Sequence, residues 1–335
     1  MKVLLVGHFE NKWSTNIEME RIFKKYGDKV TRFDYRQKAN NNIKTYEKNF
    51  VFYLLNKFLS LSRNFFILEK IFGSFYYKIL GRSYMMLSLS RLLKKKFDLV
   101  LFLKTDTIDP SLVKKFSKKF TTWYFFMDPP SVAKKINAYR YAKYATFSSA
   151  TFPCLHKEFK RYNTNSYHLR QGYDSKIFNK IKDSKKNIDL LFIGTKDKNR
   201  AQKIKFLNYF FDVVCYGEGW DNKPIYRNKL NKIFNKSRVV INFNKKGDGF
   251  SVKLSQILGS GAFVITEYCD DLKKLFKKNK NLVWFSDIHE LKNICQIYLN
   301  NKKLRNKIAS NSYLFAKKNL IWEKTILTIK QKINA

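Results

Sequence analysis

The stretch Gly249–Tyr268, GFSVKLSQILGSGAFVITEY, decides the fold that we expect for this chain. Apolar residues recur at helical spacing in its first half, which predicts a helix with one apolar face. Gly259–Gly261 ends this helix, because glycine permits the backbone conformations of a tight turn. Ala262–Thr266 then has the composition of a short buried strand. Helix, turn and strand together predict one αβ unit of a doubly wound sheet.

The loop before this helix, Lys245–Gly249 (KKGDG), is a candidate anion site. In sheets of this type, ligands bind at the carboxyl ends of the strands and at helix N-termini. Two lysines and two glycines in such a position suit a phosphate group. The alternative interpretation is a structural glycine corner with a solvated basic loop, and the pattern alone supports both.

Lys253 and Gln256, followed by Leu258–Gly261 (LGSG) and Phe263–Thr266 (FVIT), carry a family resemblance. This pattern resembles the donor-binding segment of GT-B glycosyltransferases, in particular the bacterial group related to spore-maturation glycosyltransferase-like proteins and, more distantly, glycosyltransferase family 4. In those families a glutamate that accepts hydrogen bonds from the donor ribose stands where this chain has Gln256. An amide oxygen accepts such a bond without charge assistance, so the substitution bears on donor affinity and donor identity.

The resemblance implies an α/β chain of the GT-B class, with two Rossmann-like domains facing across a cleft. Residues 1–178 would form the acceptor-side domain, with a helical insertion at about 49–96. Residues 187–318 would form the nucleotide-sugar-binding domain, and residues 319–335 a C-terminal helix that crosses back to the first domain. A length of 335 residues suits two domains. The polar run Lys180–Asn187 between them is typical of a linker.

Aromatic and apolar residues alternate with basic ones at helical intervals across residues 49–96, which predicts amphipathic helices. Two interpretations of these helices remain open. In one, they pack on the sheet of the first domain. In the other, they form an interfacial surface whose lysines lie at the headgroup level of an anionic membrane. An enzyme that acts on lipid-linked acceptors would use the second arrangement.

The predicted donor-binding residues gather around two strand–glycine turns of the second domain. Ile188–Thr195 contains the first turn and Val213–Trp220 the second. The resemblance implies that the first turn faces the donor diphosphate, where helix N-terminal amides and a guanidinium stabilise the leaving group without a metal. The alternative is a basic surface loop. The donor-binding residues assigned in this way are Gly194, Lys196, Arg200, Gly217, Lys253 and Gln256.

Three side chains are candidates for acid–base chemistry. Asp128 follows the strand Thr121–Phe126, and with the prolines after it resembles the acidic-proline strand end of the spore-maturation-like group. It would deprotonate an acceptor hydroxyl in an inverting transfer, or else cap the next helix. His8 and Glu10 lie on the loop after the first strand, which helps to hold the acceptor in GT-B enzymes; the alternative is a loop without chemistry. Retaining relatives need no base, because the donor phosphate assists.

A net charge of +41, from 67 basic and 26 acidic residues, favours anionic partners. The lysines are spread through nearly every segment and the composition is one that AT-rich codons favour, so we expect much of the excess on a solvated surface. The expected partners are a nucleotide-sugar donor, a glycan or lipid-linked acceptor, and an anionic membrane surface. Nucleic acid is a weaker alternative, since the sequence has no recognition-helix, zinc or RNP-type motif.

Four scattered cysteines show no spacing typical of a metal site, and the four histidines are equally dispersed. We expect reduced, mostly buried cysteines, as in a cytosolic protein. No stretch approaches the roughly 18 apolar residues of a membrane span. The expected location is therefore the cytoplasm, with a peripheral position on the inner face of the membrane as the alternative. We expect no metal and no cofactor, the nucleotide-sugar being a substrate.

These features predict a metal-independent glycosyltransferase that moves a hexosyl or related group from a nucleotide-sugar to an acceptor. The acceptor classes expected are a glycan, a lipid-linked glycan or another surface polysaccharide. One alternative, raised by Gln256, is a catalytically inactive GT-B-fold module that binds glycans or a membrane. The other is the basic nucleic-acid-binding protein considered above.

Overall fold

A computed structural model of the chain describes residues 1–10, 14–36, 85–244 and 247–334. Most of the predicted helical insertion at about 49–96 lies outside these residues. The chain divides into two compact units. The first unit comprises Met1–Phe126, Ile136–Ser149 and Phe159–Ser166, and the second unit comprises Met127–Lys135, Ala150–Glu158 and Tyr167–Ala335.

The first sheet has six strands in the order β2-β1-β3-β4-β5-β6. Strands β1 to β4 pair in parallel. Its elements in chain order are β1 (Lys2–Gly7), α1 (Asn16–Lys25), β2 (Lys29–Asp34), β3 (Leu99–Leu103), α2 (Pro110–Ser117), β4 (Thr121–Phe126), α3 (Pro130–Lys135), α4 (Ala138–Tyr144), β5 (Phe147–Ala150), α5 (Pro153–Tyr162) and β6 (Ser166–His168).

Strand β3 shows why this sheet forms. All five of its residues, LVLFL, are buried, as expected for a parallel strand covered by helices on both faces. Helix α2 begins at Pro110, because the Asp109 carboxylate accepts a hydrogen bond from the Ser111 amide and Pro110 occupies the first turn. The strand Thr121–Phe126 is confirmed at its predicted bounds.

The second sheet has five parallel strands in the order β11-β10-β9-β7-β8. The chain ends in three helices after the last strand. The elements are β7 (Ile188–Ile193), α6 (Lys198–Asn208), β8 (Val213–Tyr216), α7 (Arg227–Lys236), β9 (Ser237–Asn242), α8 (Val252–Gly259), β10 (Val264–Glu267), α9 (Asp270–Leu275), β11 (Val283–Phe285), α10 (Ile288–Asn300), α11 (Lys302–Asn319) and α12 (Trp322–Ile333).

The helix, turn and strand predicted from Gly249–Tyr268 are confirmed as α8 and β10. The apolar face of α8 is buried, and Gly259 packs so closely on Tyr173 that a Cβ there would lie 2.3 Å from the tyrosine ring. Gly261 has φ +72° and makes the turn. The strand begins two residues later than predicted, since its ladder with β9 starts at Val264.

Strand β7 separates two apolar cores in the second unit. Leu191 and Ile193 belong to the core that also contains α8, whereas Leu190 and Phe192 belong to the core on the other face. This alternation follows from the pleat of a strand, which directs successive side chains to opposite faces of the sheet. The second sheet is therefore covered on both sides, as the doubly wound prediction requires. Within the described parts of the chain, no helix is long and apolar enough to cross a membrane.

Candidate functional site

Two glycine turns lie side by side at the carboxyl edge of the second sheet, because β7 and β8 are parallel neighbours. The Gly194 amide donates to the Tyr216 carbonyl at 2.9 Å, and the Lys196 amide donates to the Glu218 carbonyl at 2.8 Å. Gly217 has φ +149°, and a Cβ there would lie 2.1 Å from the Gly194 carbonyl oxygen. Close approach of the two turns therefore excludes a side chain at position 217.

Two cations from different helices meet at Gly194. A Cβ at this position would lie 3.6 Å from Arg200 Nη1 and 3.6 Å from Lys253 Nζ. Arg200 comes from α6 and donates to the Thr195 carbonyl at 3.0 Å. Lys253 comes from α8 and donates to the Ile193 carbonyl at 2.6 Å. The structure thus gathers three of the predicted donor-binding residues at one strand end.

Lys196 and Trp220 complete this edge of the sheet. The Trp220 indole donates to the Gly194 carbonyl at 2.9 Å, and the Lys196 ammonium lies 5.1 Å from the centre of the Trp220 ring. An aromatic face holds a cation at this distance by a cation–π interaction. Lys196 itself is exposed, so the ammonium is accessible beside the glycine turns.

The N-terminus of α6 is capped by the protein. The Asp197 carboxylate accepts from the Arg200 amide at 2.9 Å, and its other oxygen lies 3.4 Å from Arg200 Nε. One of the helix amides that the sequence assigns to the donor diphosphate is therefore already bonded. An anion beside Gly194 would meet the side chains of Arg200, Lys253 and Lys196 in addition to the remaining amides.

Gln256 lies one turn after Lys253 on α8, and residues three apart share a helix face. Its side chain is half-buried. Ser255, next to it in sequence, is buried on another face and donates to the Gln171 carbonyl at 3.2 Å. The geometry therefore places the Gln256 amide on the same face as the ammonium that contacts the first glycine turn.

Glu267 and Asn244 form a polar cluster that the sequence analysis missed. The Glu267 carboxylate accepts from the Asn244 amide at 3.1 Å and lies 2.5 Å from the Lys203 ammonium. Asn242, at the end of β9, donates to the Thr266 hydroxyl at 2.9 Å. The available signal was that β9 and β10 both end in polar residues, and carboxyl ends of parallel strands meet at one edge.

Asp128 lies on a segment that is hydrogen-bonded to the rest of the second unit. The Met127 carbonyl accepts from Gln171 Nε2 at 2.7 Å. A Cβ on Gly247 would lie 3.2 Å from Pro130, so the Asp128 segment adjoins the loop before α8. Asp128 is half-buried. The Pro129 carbonyl accepts the amides of residues 132 and 133 at the start of α3.

His8 and Glu10 belong to the first unit. His8 Nδ1 lies 3.4 Å from Asp34 Oδ1, and the other oxygen of Asp34 accepts the Phe9 amide at 2.6 Å. The His8 carbonyl accepts the hydroxyl of Ser14 at 2.6 Å. A carboxylate thus orients the imidazole, an arrangement that suits a general base. Glu10 is exposed.

The adjacent carboxylates Asp270 and Asp271 have separate structural roles. Asp271 is buried and accepts two hydrogen bonds from Arg170, at 2.7 Å and 2.6 Å. Asp270 accepts from the Tyr268 hydroxyl at 2.8 Å. Desolvation lowers the pKa of His168, and the charge of Arg170 lowers it further. Among the residues that the structure describes, no group of three or more His, Cys, Asp or Glu side chains is arranged to hold a metal ion.

The cysteines are free thiols, and three of them are buried, as the sequence predicts. Burial raises the pKa of each thiol, to about 11 for Cys154 and to about 12 for the other three. Thiolates are the reactive form of cysteine. All four side chains lie in the second unit, and they belong to its packing rather than to a reactive site.

Comparison with known proteins matches a family model to part of the second unit, in a range that includes Gly217 but not Gly194. The family model described as "Glycosyl transferase-like" matches residues 199–331. No curated protein matches the sequence.

Solved structures resemble the whole chain. Anabaena HepE in complex with UDP-glucose has a TM-score of 0.69 at 11% identity, over 100% of this chain and 99% of that one. Sucrose-phosphate synthase of Thermosynechococcus elongatus has a TM-score of 0.66 at 10% identity, over 99% and 98%. A DNA-modifying β-glucosyltransferase has a TM-score of 0.60 at 11% identity, over 100% of both chains. The chain therefore has the GT-B fold, with two Rossmann-like domains.

Proposed function

We propose that this GT-B chain is a glycosyltransferase that transfers a sugar from a nucleotide-sugar donor to a glycan acceptor. The observation that carries the proposal is the meeting of Arg200 and Lys253 at Gly194. Both cations lie within residues 199–331, which match the glycosyl transferase-like family model. In this class of fold, nucleotides bind outside the carboxyl ends of the parallel strands. Positive charge at that place suits a diphosphate.

The donor diphosphate would lie against the turns at Gly194 and Gly217, which carry no side chains. Arg200 and Lys253 would neutralise the negative charge that develops on the leaving diphosphate as the glycosidic bond breaks. Such fixed cations act without reorganisation during the reaction, so we propose a transfer that needs no metal. HepE, which resembles this chain at a TM-score of 0.69, was solved with UDP-glucose, and we therefore propose uridine as the first base to test.

Gln256 would accept a hydrogen bond from a ribose hydroxyl of the same donor. It lies on the helix face of Lys253, so the ribose contact and the phosphate contact would come from consecutive turns of α8. Glu267, held by Lys203 at 2.5 Å, is a second acceptor at this edge of the sheet. We propose that it contacts donor hydroxyls.

Acceptor activation would fall to Asp128 if the reaction inverts the anomeric centre. The half-buried carboxylate would take the proton of an acceptor hydroxyl. His8, oriented by Asp34, is the alternative base, and Glu10 lies on the same loop. In a retaining reaction the donor phosphate would take this proton.

A lipid-linked glycan or surface-polysaccharide precursor is the acceptor class that we propose. The net charge of +41 would draw the protein towards an anionic membrane surface from the cytoplasmic side. Transfer to a lipid-linked acceptor should depend on vesicles, whereas transfer to a soluble glycan should not. Transfer rates measured with both acceptor types distinguish the two.

A thermal-shift screen against nucleoside diphosphates and nucleotide sugars tests the proposal. Ligands that bind only the folded protein raise its melting temperature by mass action. We expect selective stabilisation by one diphosphate, lost in Arg200→Ala and kept in Lys198→Ala, a neighbouring exposed lysine of α6. Stabilisation without turnover of any donor would indicate an inactive binding module. No response, together with salt-sensitive duplex binding, would favour the nucleic-acid alternative.

A further inference from the structure

A second cationic site lies in the second unit, at the amino ends of its strands. The glycine turns lie at the carboxyl ends of the same sheet. It is a pocket of about 740 Å³. Arg238, the second residue of β9, and Phe263, just before β10, line it. Gly194 instead follows the carboxyl end of β7, which pairs in parallel with β9. In this register Arg238 is level with Asp189, five residues before Gly194, which separates Arg238 from Gly194 by about 16 Å at a rise of about 3.3 Å per residue.

Five cationic side chains line this pocket, from three separate parts of the chain. The carboxylate of Asp183 also lines it, and the Arg238 guanidinium lies 2.9 Å from the Asp189 carboxylate. The five cationic side chains outnumber these two acidic groups. They are Lys180, Lys186, Arg238, Lys302 and Arg305.

One face of α11 forms a wall of the pocket. Lys302, Arg305, Asn306 and Ser310 line it, at the spacing of neighbours on a helix surface. Arg305 is buried, and its guanidinium donates to the carbonyls of Tyr298 and Leu299 at the end of α10. These bonds fix a positive charge in the wall. The Asn306 and Ser310 side chains add neutral hydrogen-bond donors.

Lys186 faces this fixed charge from the segment before β7. Desolvation by the pocket walls, together with the positive charges of Arg305 and Lys180, lowers its pKa to about 8, although the residue as a whole keeps access to solvent. Cations held this close repel one another. An anion bound between them would offset this repulsion, and several hydrogen-bond donors would already be positioned to contact it.

We propose that this pocket binds a phosphate-bearing ligand, at a site distinct from the donor-binding turns. Several converging cations suit the multiple charges of a phosphate group. The phosphate has two possible sources, a soluble phosphorylated molecule or the headgroup of an anionic lipid. The proposal does not depend on donor binding, because none of its lining residues belongs to the turns at Gly194 and Gly217.

Calorimetric titration with inorganic pyrophosphate, in the Arg200→Ala background, tests the soluble source. We expect Lys186→Ser with Lys302→Ser to weaken binding by about tenfold or more, since each removes a charge-assisted contact. Lys303→Ser, an exposed neighbour on α11 that does not line the pocket, is the matched control and should leave the affinity unchanged. Arg305 is left intact because its hydrogen bonds to α10 support the fold.

The pH dependence of pyrophosphate affinity distinguishes a direct contact with Lys186 from general attraction to the positive charge of the protein. Wild-type affinity for pyrophosphate should fall between pH 7 and pH 9.5 more steeply than that of Lys186→Arg, because a guanidinium keeps its charge over this range. Comparison of the two proteins at each pH cancels the ionisation of the ligand. Equal slopes in both proteins would contradict a contact with Lys186.

Sedimentation with vesicles tests the lipid source. If a lipid headgroup occupies the pocket, phosphatidylglycerol vesicles should sediment with wild type and with Lys303→Ser. They should not sediment with the Lys186→Ser, Lys302→Ser double variant. Phosphatidylcholine vesicles are the neutral control. Pyrophosphate binding without this vesicle effect assigns a soluble ligand. If neither ligand distinguishes the double variant from Lys303→Ser, while circular dichroism shows both folded, the proposal is wrong.

Discussion

Arg200 Nη1 and Lys253 Nζ each lie 3.6 Å from the position that a Cβ of residue 194 would occupy. The two side chains come from α6 and α8, which are separated by two strands in the chain. They meet because β7 lies between β8 and β9 in the sheet, with its carboxyl end between the two helix starts. Two cations therefore converge on a bare backbone turn, which is the site that we propose for the donor diphosphate and that a bulky side chain would block.

Gly217→Ala should disrupt this site. The added carbon would lie 2.1 Å from the Gly194 carbonyl oxygen at a backbone φ of +149°. We expect a loss of about 1–3 kcal/mol in unfolding free energy, as for other strained positions, together with weaker binding of UDP. Differential scanning fluorimetry and calorimetry measure both effects.

Gly27→Ala is the matched control for this prediction, because Gly27 has φ +75° but nothing lies within 4 Å of an added Cβ. It should lower the melting temperature through backbone strain alone and leave UDP affinity unchanged. Equal losses of UDP affinity in both variants would refute the role assigned to Gly217.

Gln256→Glu tests the proposed ribose contact. A carboxylate accepts hydrogen bonds about twice as strongly as a neutral amide, so we expect several-fold tighter binding of UDP. The gain should disappear with a dideoxyribose analogue of UDP, which lacks the hydroxyl donors. The same gain with both nucleotides would mean that the new carboxylate acts through Lys253 instead.

Asp128→Asn tests the proposed base in an inverting transfer. We expect kcat to fall by about 10²-fold or more, the usual contribution of general base catalysis, with the Kd for UDP unchanged. The same assay on His8→Gln gives the comparison. A large loss in His8→Gln alone would move the base to the first unit, and small losses in both would favour a retaining reaction.

Asp271→Asn should destabilise the second unit. The buried carboxylate accepts two hydrogen bonds from Arg170, and removal of one partner of such a pair costs about 3 kcal/mol. Asp270→Asn, an exposed neighbour, should have a much smaller effect on thermal unfolding. Similar melting temperatures for the two variants would show that the Arg170 pair contributes little to stability.

Much of the fold was predictable from local patterns. The runs LVLFL at Leu99–Leu103 and VITE at Val264–Glu267 are strands, and Asp109-Pro110 starts a helix, because buried strands and helix caps depend on a few consecutive residues. The glycine turns at Gly194 and Gly217 were predictable for the same reason.

Contacts that depend on strand order were not predictable. Glu267 pairs with Lys203 across 64 positions of sequence, and this requires that β9 lie between β10 and β7. The cationic pocket likewise joins residues near 180, 238 and 302, none of which belongs to a recognisable motif. Local sequence carries no information on which of these segments the topology brings together.

The most direct test of the donor-site assignment is calorimetric titration of UDP and UDP-sugars into three proteins: wild type, Arg200→Ala and Lys198→Ala. We expect one molecule of ligand per chain for wild type and Lys198→Ala, with affinity lower by about tenfold or more in Arg200→Ala, as loss of a charge-assisted contact implies. Other nucleoside diphosphates, titrated in parallel, identify the base. Equal affinities of all three proteins for every nucleotide, or no binding to any of them, would contradict the assignment.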